Sequence, residues 1–164
     1  MRQIMIDVSF EQLKSLRLGW SSVTRLRDEA ILHDTLTLEI FGSSEAELRI
    51  TAPEIKSSIS GSSNLVLTGD SDDIRINMNG SSKIKAYLTS TTLLVDISWS
   101  SDFVGQGNVT VLQVKASGSS DFDGKDLQVQ KATLEANGSS DITVHAQEIV
   151  SQKSHGSSDI TNVR

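Results

Sequence analysis

Apolar and polar side chains alternate along most of this 164-residue chain, and the alternation returns to the same phase about every nineteen residues. The phase marker is a short phrase, Gly-Ser-Ser or Trp-Ser-Ser. It begins at Trp20, Gly42, Gly61, Gly80, Trp99, Gly118, Gly138 and Gly156, at intervals of 22, 19, 19, 19, 19, 20 and 18 residues. With the first residue of each phrase as position zero, apolar residues hold three even positions before it: Leu93, Val95 and Ile97 before Trp99, or Leu112, Val114 and Ala116 before Gly118. Two even positions after it are also apolar, as in Leu65 and Leu67 or Ile84 and Ala86, while the odd positions between are mostly polar. Period-two alternation is the mark of a strand with one buried face. Each repeat therefore predicts two strands joined by a Ser-Ser corner.

Asn79-Gly80 and Asn137-Gly138 are dipeptides typical of tight hairpins, so an antiparallel β-sandwich is the competing arrangement. The same parity of residue points inward on both sides of the corner, however, and equivalent residues recur one repeat later. Stacked parallel coils require both features. The expected fold is all-β, a parallel β-helix of about eight coils, forming one repeat domain over residues 1–164. Residues 13–164 form the coils, and Ile4, Ile6, Val8 and Phe10 suggest a capping strand within or near residues 1–12. At about 4.8 Å per coil the rod is roughly 35 to 40 Å long.

The third side of each coil differs between repeats, with Asp70, Ser71, Asp72 and Asp73 in one and Gly105, Gln106, Gly107 and Asn108 in another, and is expected to be loop-like. Lys14 in the first coil, and Gln152, Ser154 and Asn162 in the last, fall in inward slots. The core pattern thus decays at both ends, as terminal repeats must if rods are not to join. Because Trp20 and Trp99 share the slot held elsewhere by Gly, that slot is expected to be open and to need no positive φ. A bulky left-handed residue would cost about 1 to 2 kcal/mol.

Composition narrows the function classes. A net charge of -6 and few clustered Lys or Arg residues argue against nucleic acid as a partner. No run of residues is apolar for long enough to span a membrane, and the first ten residues do not resemble a signal peptide. The absence of cysteine excludes disulfides and thiolate chemistry.

No catalytic constellation is evident. A serine nucleophile needs a base and an orienting acid, and His33, His145 and His155 do not recur with the serines. After the serines comes a column reading Val23, Glu45, Asn64, Lys83, Asp102, Asp121, Asp141, Asp159. Stacking would align the last four carboxylates, with Lys83 beside Asp102. Asp is a good turn residue that bonds nearby amides, which accounts for the column without an ion. A row of hard oxygens also suits Ca²⁺, so Asp102, Asp121, Asp141 and Asp159 are the candidate calcium ligands. The acidic group Asp70, Asp72 and Asp73 lacks the spacing of a known calcium loop. Trp20, Trp99, Lys83 and Asp102 are the candidate surface-binding residues, with partial packing of both tryptophans on neighbouring coils as the default.

The phrases Ile59-Ser60-Gly61-Ser62-Ser63-Asn64-Leu65 and Ala116-Ser117-Gly118-Ser119-Ser120-Asp121-Phe122 resemble the head GIN domain family of bacterial auto-transporter adhesins, from about Leu13 to the C-terminus. The resemblance implies a right-handed, non-enzymatic β-helix at the cell surface or in the periplasm that binds glycans or surface and matrix proteins. It supplies no catalytic residues and no cofactor. Relative to that family the chain lacks a signal or lipoprotein segment and early strands, which is expected of a trimmed form. The rival readings are a self-assembling bactofilin-like rod, which the polar last coil opposes, and a polysaccharide-active β-helix enzyme using carboxylates such as Asp102 beside Lys83.

Overall fold

A computed structural model describes residues 9–163, and every regular element among them is a strand. These are β1 (Ser15–Leu18), β2 (Val23–Arg25), β3 (Ala30–Ile31), β4 (Leu36–Ile40), β5 (Glu45–Thr51), β6 (Glu54–Ile59), β7 (Asn64–Met78), β8 (Lys83–Ile97), β9 (Asp102–Ala116), β10 (Asp121–Gly138), β11 (Asp141–Gly156) and β12 (Asp159–Asn162). All pairing is parallel and runs from one coil to the next: β1-β4-β6-β7-β8-β9-β10-β11-β12, with β2 and β3 joining through β5 to β7. The chain is therefore a β-solenoid with the expected period, and no hairpin occurs among the described residues.

The register follows the repeat phrase. Ile40 pairs with Ile59, Ile59 with Met78, Met78 with Ile97 and Ile97 with Ala116, so inward columns stack like on like. These columns form one continuous core of Leu, Ile, Val and Ala. A one-residue slip would turn a whole column to solvent, which is why alternation specifies register so strongly. The two buried phenylalanines show how the narrow interior accommodates bulk. Phe103 and Phe122 stack at 4.9 Å with nearly parallel planes, and each is followed two residues later by a glycine. A Cβ on Gly105 would lie 2.9 Å from the Phe103 ring, and one on Gly124 would lie 2.7 Å from the Phe122 ring. Other coils fill the same pair of slots with one large and one small residue in a different division, Ala46 with Leu48 or Ile84 with Ala86, so volume is nearly conserved while its distribution changes. Ser57 is the exception in the core: it pairs with Leu38 and Ile76, and its buried hydroxyl has no hydrogen-bond partner among the described residues.

The third side is not a loop in the middle coils. β7, β8 and β9 each run fifteen residues around it without interruption, and Asp70, Ser71 and Asp73 pair with Thr89, Ser90 and Thr92. The bend survives because its inward serines bond the backbone locally. Ser71 donates to the Pro53 and Asp73 carbonyls at 3.1 and 3.0 Å, and Ser90 donates to those of Asp72 and Thr92 at 3.3 and 2.7 Å. Side-chain variety there changes the surface and leaves the ladder intact.

The two ends also differ from expectation in detail. Lys14 is exposed, and its ammonium pairs with Asp34 at 3.2 Å, because the first coil leaves that slot open to solvent. Ile4, Ile6 and Val8 of the expected cap lie outside the described residues. Residues 9–12 carry no strand, and Phe10 is exposed. At the other end Gln152 and Ser154 are exposed. Asn162 closes the ladder: its carboxamide accepts the Ala146 N–H at 2.9 Å and donates to the Ala146 carbonyl at 3.0 Å. One side chain thus stands in for the next strand's peptide group, blunting an edge that would otherwise pair.

Candidate functional site

The Ser-Ser corner extends the ladder around the bend. The amide following position zero donates to the position-zero carbonyl one coil earlier, as in Ser62 to Gly42 and Ser81 to Gly61, both at 2.8 Å. The second serine of each phrase is buried from Ser44 to Ser158. Its hydroxyl donates to the carbonyl three residues back in Ser22, Ser44, Ser120, Ser140 and Ser158, at 2.6 to 3.0 Å. Hydroxyls of adjacent coils also meet, Ser82 with Ser101 at 3.1 Å. Small polar side chains thus satisfy backbone groups in a tight turn, and these hydroxyls are committed to structure. The nearest histidine, His155, contributes only backbone groups to this network.

Position zero overturns the expectation of an open, permissive slot. All eight copies have positive φ: the six glycines lie between 75° and 82°, Trp20 is at 66° and Trp99 at 68°. These are the two non-glycine residues with positive φ among the described residues. The slot is also crowded, since a Cβ on Gly61 would lie 2.4 Å from the Gly42 carbonyl oxygen and one on Gly80 2.6 Å from that of Gly61. Trp99 carries a real Cβ in this place. The bond beneath it, from Ser100 to Gly80, is 3.0 Å, the longest of a column that otherwise spans 2.6 to 2.8 Å.

The strain is not repaid by packing. Trp20 is 87% exposed and Trp99 73% exposed, the most exposed large apolar residues described. Both project from one edge of the rod, four coils or about 19 Å apart, with Gly42, Gly61 and Gly80 between them. Any packing on neighbouring coils therefore leaves most of each indole in solvent.

The acidic column forms as the repeat predicts. Asp102 pairs with Asp121, Asp121 with Asp141, and Asp141 with Asp159. Lys83 lies in register below Asp102, and its ammonium meets that carboxylate at 3.1 Å. Partial burial, together with Asp102 and Asp141 on either side, pushes the Asp121 carboxyl above the usual range, while a hydrogen bond from the Asp141 backbone opposes the shift. The Asp141 carboxylate accepts the Asp159 amide at 3.3 Å, so amide contact does operate within the column. Among the described residues no three acidic or histidine side chains gather as a metal cage would require.

The third side holds a feature that alternation alone does not reveal. Two hollows of about 390 and 510 Å³ adjoin there and share Asp70 and Thr89. The larger is bordered by Tyr87, Gln106 and Gly107, and the smaller continues along Asn108, Thr110 and Gln128. Gly107 is required in this wall: its φ is 116°, and a Cβ there would lie 2.0 Å from the Leu88 carbonyl oxygen. The sequence signal was present as the change in composition of the third side. What was missing was its concavity.

A parallel β-solenoid with a repeated glycine-serine corner, an exposed aromatic edge and a polar side cleft is the class these features define. The chain belongs to the family described as putative auto-transporter adhesin, head GIN domain, whose sequence signature matches residues 1–91 and again residues 68–163. No curated protein and no solved structure matches the chain. No helix among the described residues is long and apolar enough to cross a membrane.

Proposed function

We propose that this protein is a non-enzymatic recognition domain, exported to the cell surface or periplasm, that binds extracellular glycans or surface and matrix proteins. Family membership supports the adhesin role and the location. The observation that carries the reading is the pair of strained, exposed tryptophans, Trp20 and Trp99. Glycine fills the same slot without strain in six other coils, so folding alone gives no reason for Trp. Backbone strain that the fold does not need is characteristic of functional positions, and an exposed indole supplies a rigid amphipathic contact surface.

The serine hydroxyls are engaged with backbone carbonyls and with one another, which supports binding rather than nucleophilic chemistry. Lys83 and Asp102 form an exposed ion pair on the face that follows the aromatic corner. The test is an array of glycans and extracellular-matrix proteins probed with the intact protein, with Trp20→Gly and Trp99→Gly as comparisons. Both substitutions suit the local φ, so the variants should fold, and the expected outcome is a reduced array signal. Retention of full signal by the double variant would refute the role of this edge.

A further inference from the structure

The cleft on the third side has a chemistry distinct from the tryptophan edge. Its outward residues stand in register on successive coils: Asp70 pairs with Thr89, Thr89 with Asn108, and Asn108 with Gln128. Thr91, Thr110 and Gln130 line the opposite side of the smaller hollow. Of these, Gln128 alone has a side-chain partner among the described residues, its amide nitrogen meeting His145 Nδ1 at 3.2 Å. Thr89, Thr91, Asn108, Thr110 and Gln130 make no side-chain hydrogen bond among the described residues. They therefore present hydroxyl and carboxamide donors and acceptors at coil spacing, about 4.8 Å apart.

One end of the cleft is aromatic. Tyr87 is 37% exposed and borders the larger hollow, with the Lys85 ammonium 5.5 Å from its ring centroid. Among the described residues no Lys or Arg lines either hollow, and the charged residues that do are Glu29, Asp70 and Asp72. A phosphate, sulfate or uronate chain would meet these acidic groups along the rows, with the Lys85 ammonium as a counter-charge only beside the Tyr87 ring. A neutral sugar chain fits instead: its C–H faces can lie on the tyrosine ring, and its hydroxyls can both donate to and accept from the threonine and carboxamide rows.

From this we infer that the Tyr87–Gln130 side of the solenoid is a binding cleft for a neutral oligosaccharide laid across successive coils. It rests on the reading of the domain as a non-enzymatic binder and adds a second surface to it. From Asp70 to Gln128 the row crosses three coil spacings, about 14 Å, so the cleft takes a short oligomer in preference to a single sugar.

The experiment is calorimetric titration of the intact protein with neutral tetrasaccharides of glucose, galactose and N-acetylglucosamine, their monosaccharides, and tetragalacturonate. At least one neutral tetramer should bind, more tightly than its monomer, while tetragalacturonate should not. Tyr87→Ala and Asn108→Ala should each weaken that binding about tenfold, a loss of about 1.4 kcal/mol. Lys115→Ala, exposed and outside both hollows, should leave it unchanged, and Trp99→Gly is titrated alongside. Circular dichroism and melting curves would confirm that the exposed-site variants fold.

Binding of none of the neutral tetramers, preference for tetragalacturonate, or insensitivity to both cleft substitutions would overturn the assignment. If Trp99→Gly alone removed tetramer binding, the cleft would be rejected while the recognition role of the tryptophan edge stood. If an array showed only matrix-protein ligands and the tetramers gave no heat, the cleft would likewise be rejected.

Discussion

The two bends of each coil solve the same geometric problem in opposite ways. The first bend varies one solution little: a left-handed residue, an exposed serine and a serine, buried from Ser44 onward, whose hydroxyl bonds the backbone or, as at Ser82, the hydroxyl of the next coil. The second keeps only an inward serine in two of its coils and otherwise varies, from Asp70-Ser71-Asp72 to Thr89-Ser90-Thr91 and Asn108-Val109-Thr110. A uniform bend sets register and stack spacing. A varied bend can change its outward chemistry without cost to the ladder, because outward side chains take no part in pairing. The exceptions carry the functional content of the first bend, since Trp20 and Trp99 depart from uniformity where uniformity would be easier.

The largest break in this comparison should come from loading the crowded glycine slots. Gly61→Val places a branched side chain at φ 75° with its Cβ 2.4 Å from the Gly42 carbonyl, and should destabilise by about 3 kcal/mol in urea unfolding. Gly107→Ala at the second bend should lose about 2 to 3 kcal/mol for the same reasons, since its φ is 116° and the clash is closer. If either were neutral, the left-handed slot would not be a requirement of that bend.

A smaller effect tests the hydroxyl column. Ser82→Ala removes the contact with Ser101 and should cost about 1 kcal/mol. The exposed serine Ser81, changed to Ala, should cost only a few tenths. Equal losses at the two positions would show that the buried hydroxyls do not hold the corner.

Trp99→Gly should move in the opposite direction. Relief of left-handed strain, about 1 to 2 kcal/mol, outweighs the greater unfolded-chain freedom of glycine, about 0.5 to 1 kcal/mol. The variant should therefore be more stable by about 0.5 to 1 kcal/mol, even as array binding is weakened. A destabilised Trp99→Gly would mean that the indole packs and that its place is structural.

The smallest effect concerns the acidic column. Because the Asp121 carboxyl is raised by burial and by its Asp102 and Asp141 neighbours, its charged form is disfavoured in the folded state. That penalty is complete above the folded pKa and vanishes below the ordinary Asp value. Asp121→Asn should be slightly more stable than the parent at neutral pH, and the difference should close as pH falls through the carboxyl range. Glu54 behaves oppositely. Bonds from Lys56 and Thr35 and the nearby Arg75 hold its pKa down, so its contribution is lost over the same fall in pH. Melting temperatures of parent and variant across that range would separate the two.

Alternation and repeat spacing made the solenoid legible, including the Lys83–Asp102 pair and the alignment of the four aspartates. These follow from one-dimensional regularity, because a residue's neighbour in a stack is its equivalent one period away. The same regularity was less informative at the third side. A change of composition there reads equally as loop or as strand, and Ser71 and Ser90 keep it a strand through inward bonds whose partners are not adjacent in sequence.

The chain alone determined that coils stack, which residues face inward and where the repeated bend falls, because burial of one strand face imposes a period on the sequence itself. Tertiary structure alone decided what that bend demands and what surrounds it. Only with successive coils in contact does a carbonyl lie within 3 Å of each glycine's missing Cβ, making Trp99 a strained residue rather than a tolerated one. Only there do Tyr87, Thr89 and Asn108 border one cleft. Dihedral strain and concavity are properties of packed neighbours, and a pattern of apolar and polar letters does not contain them.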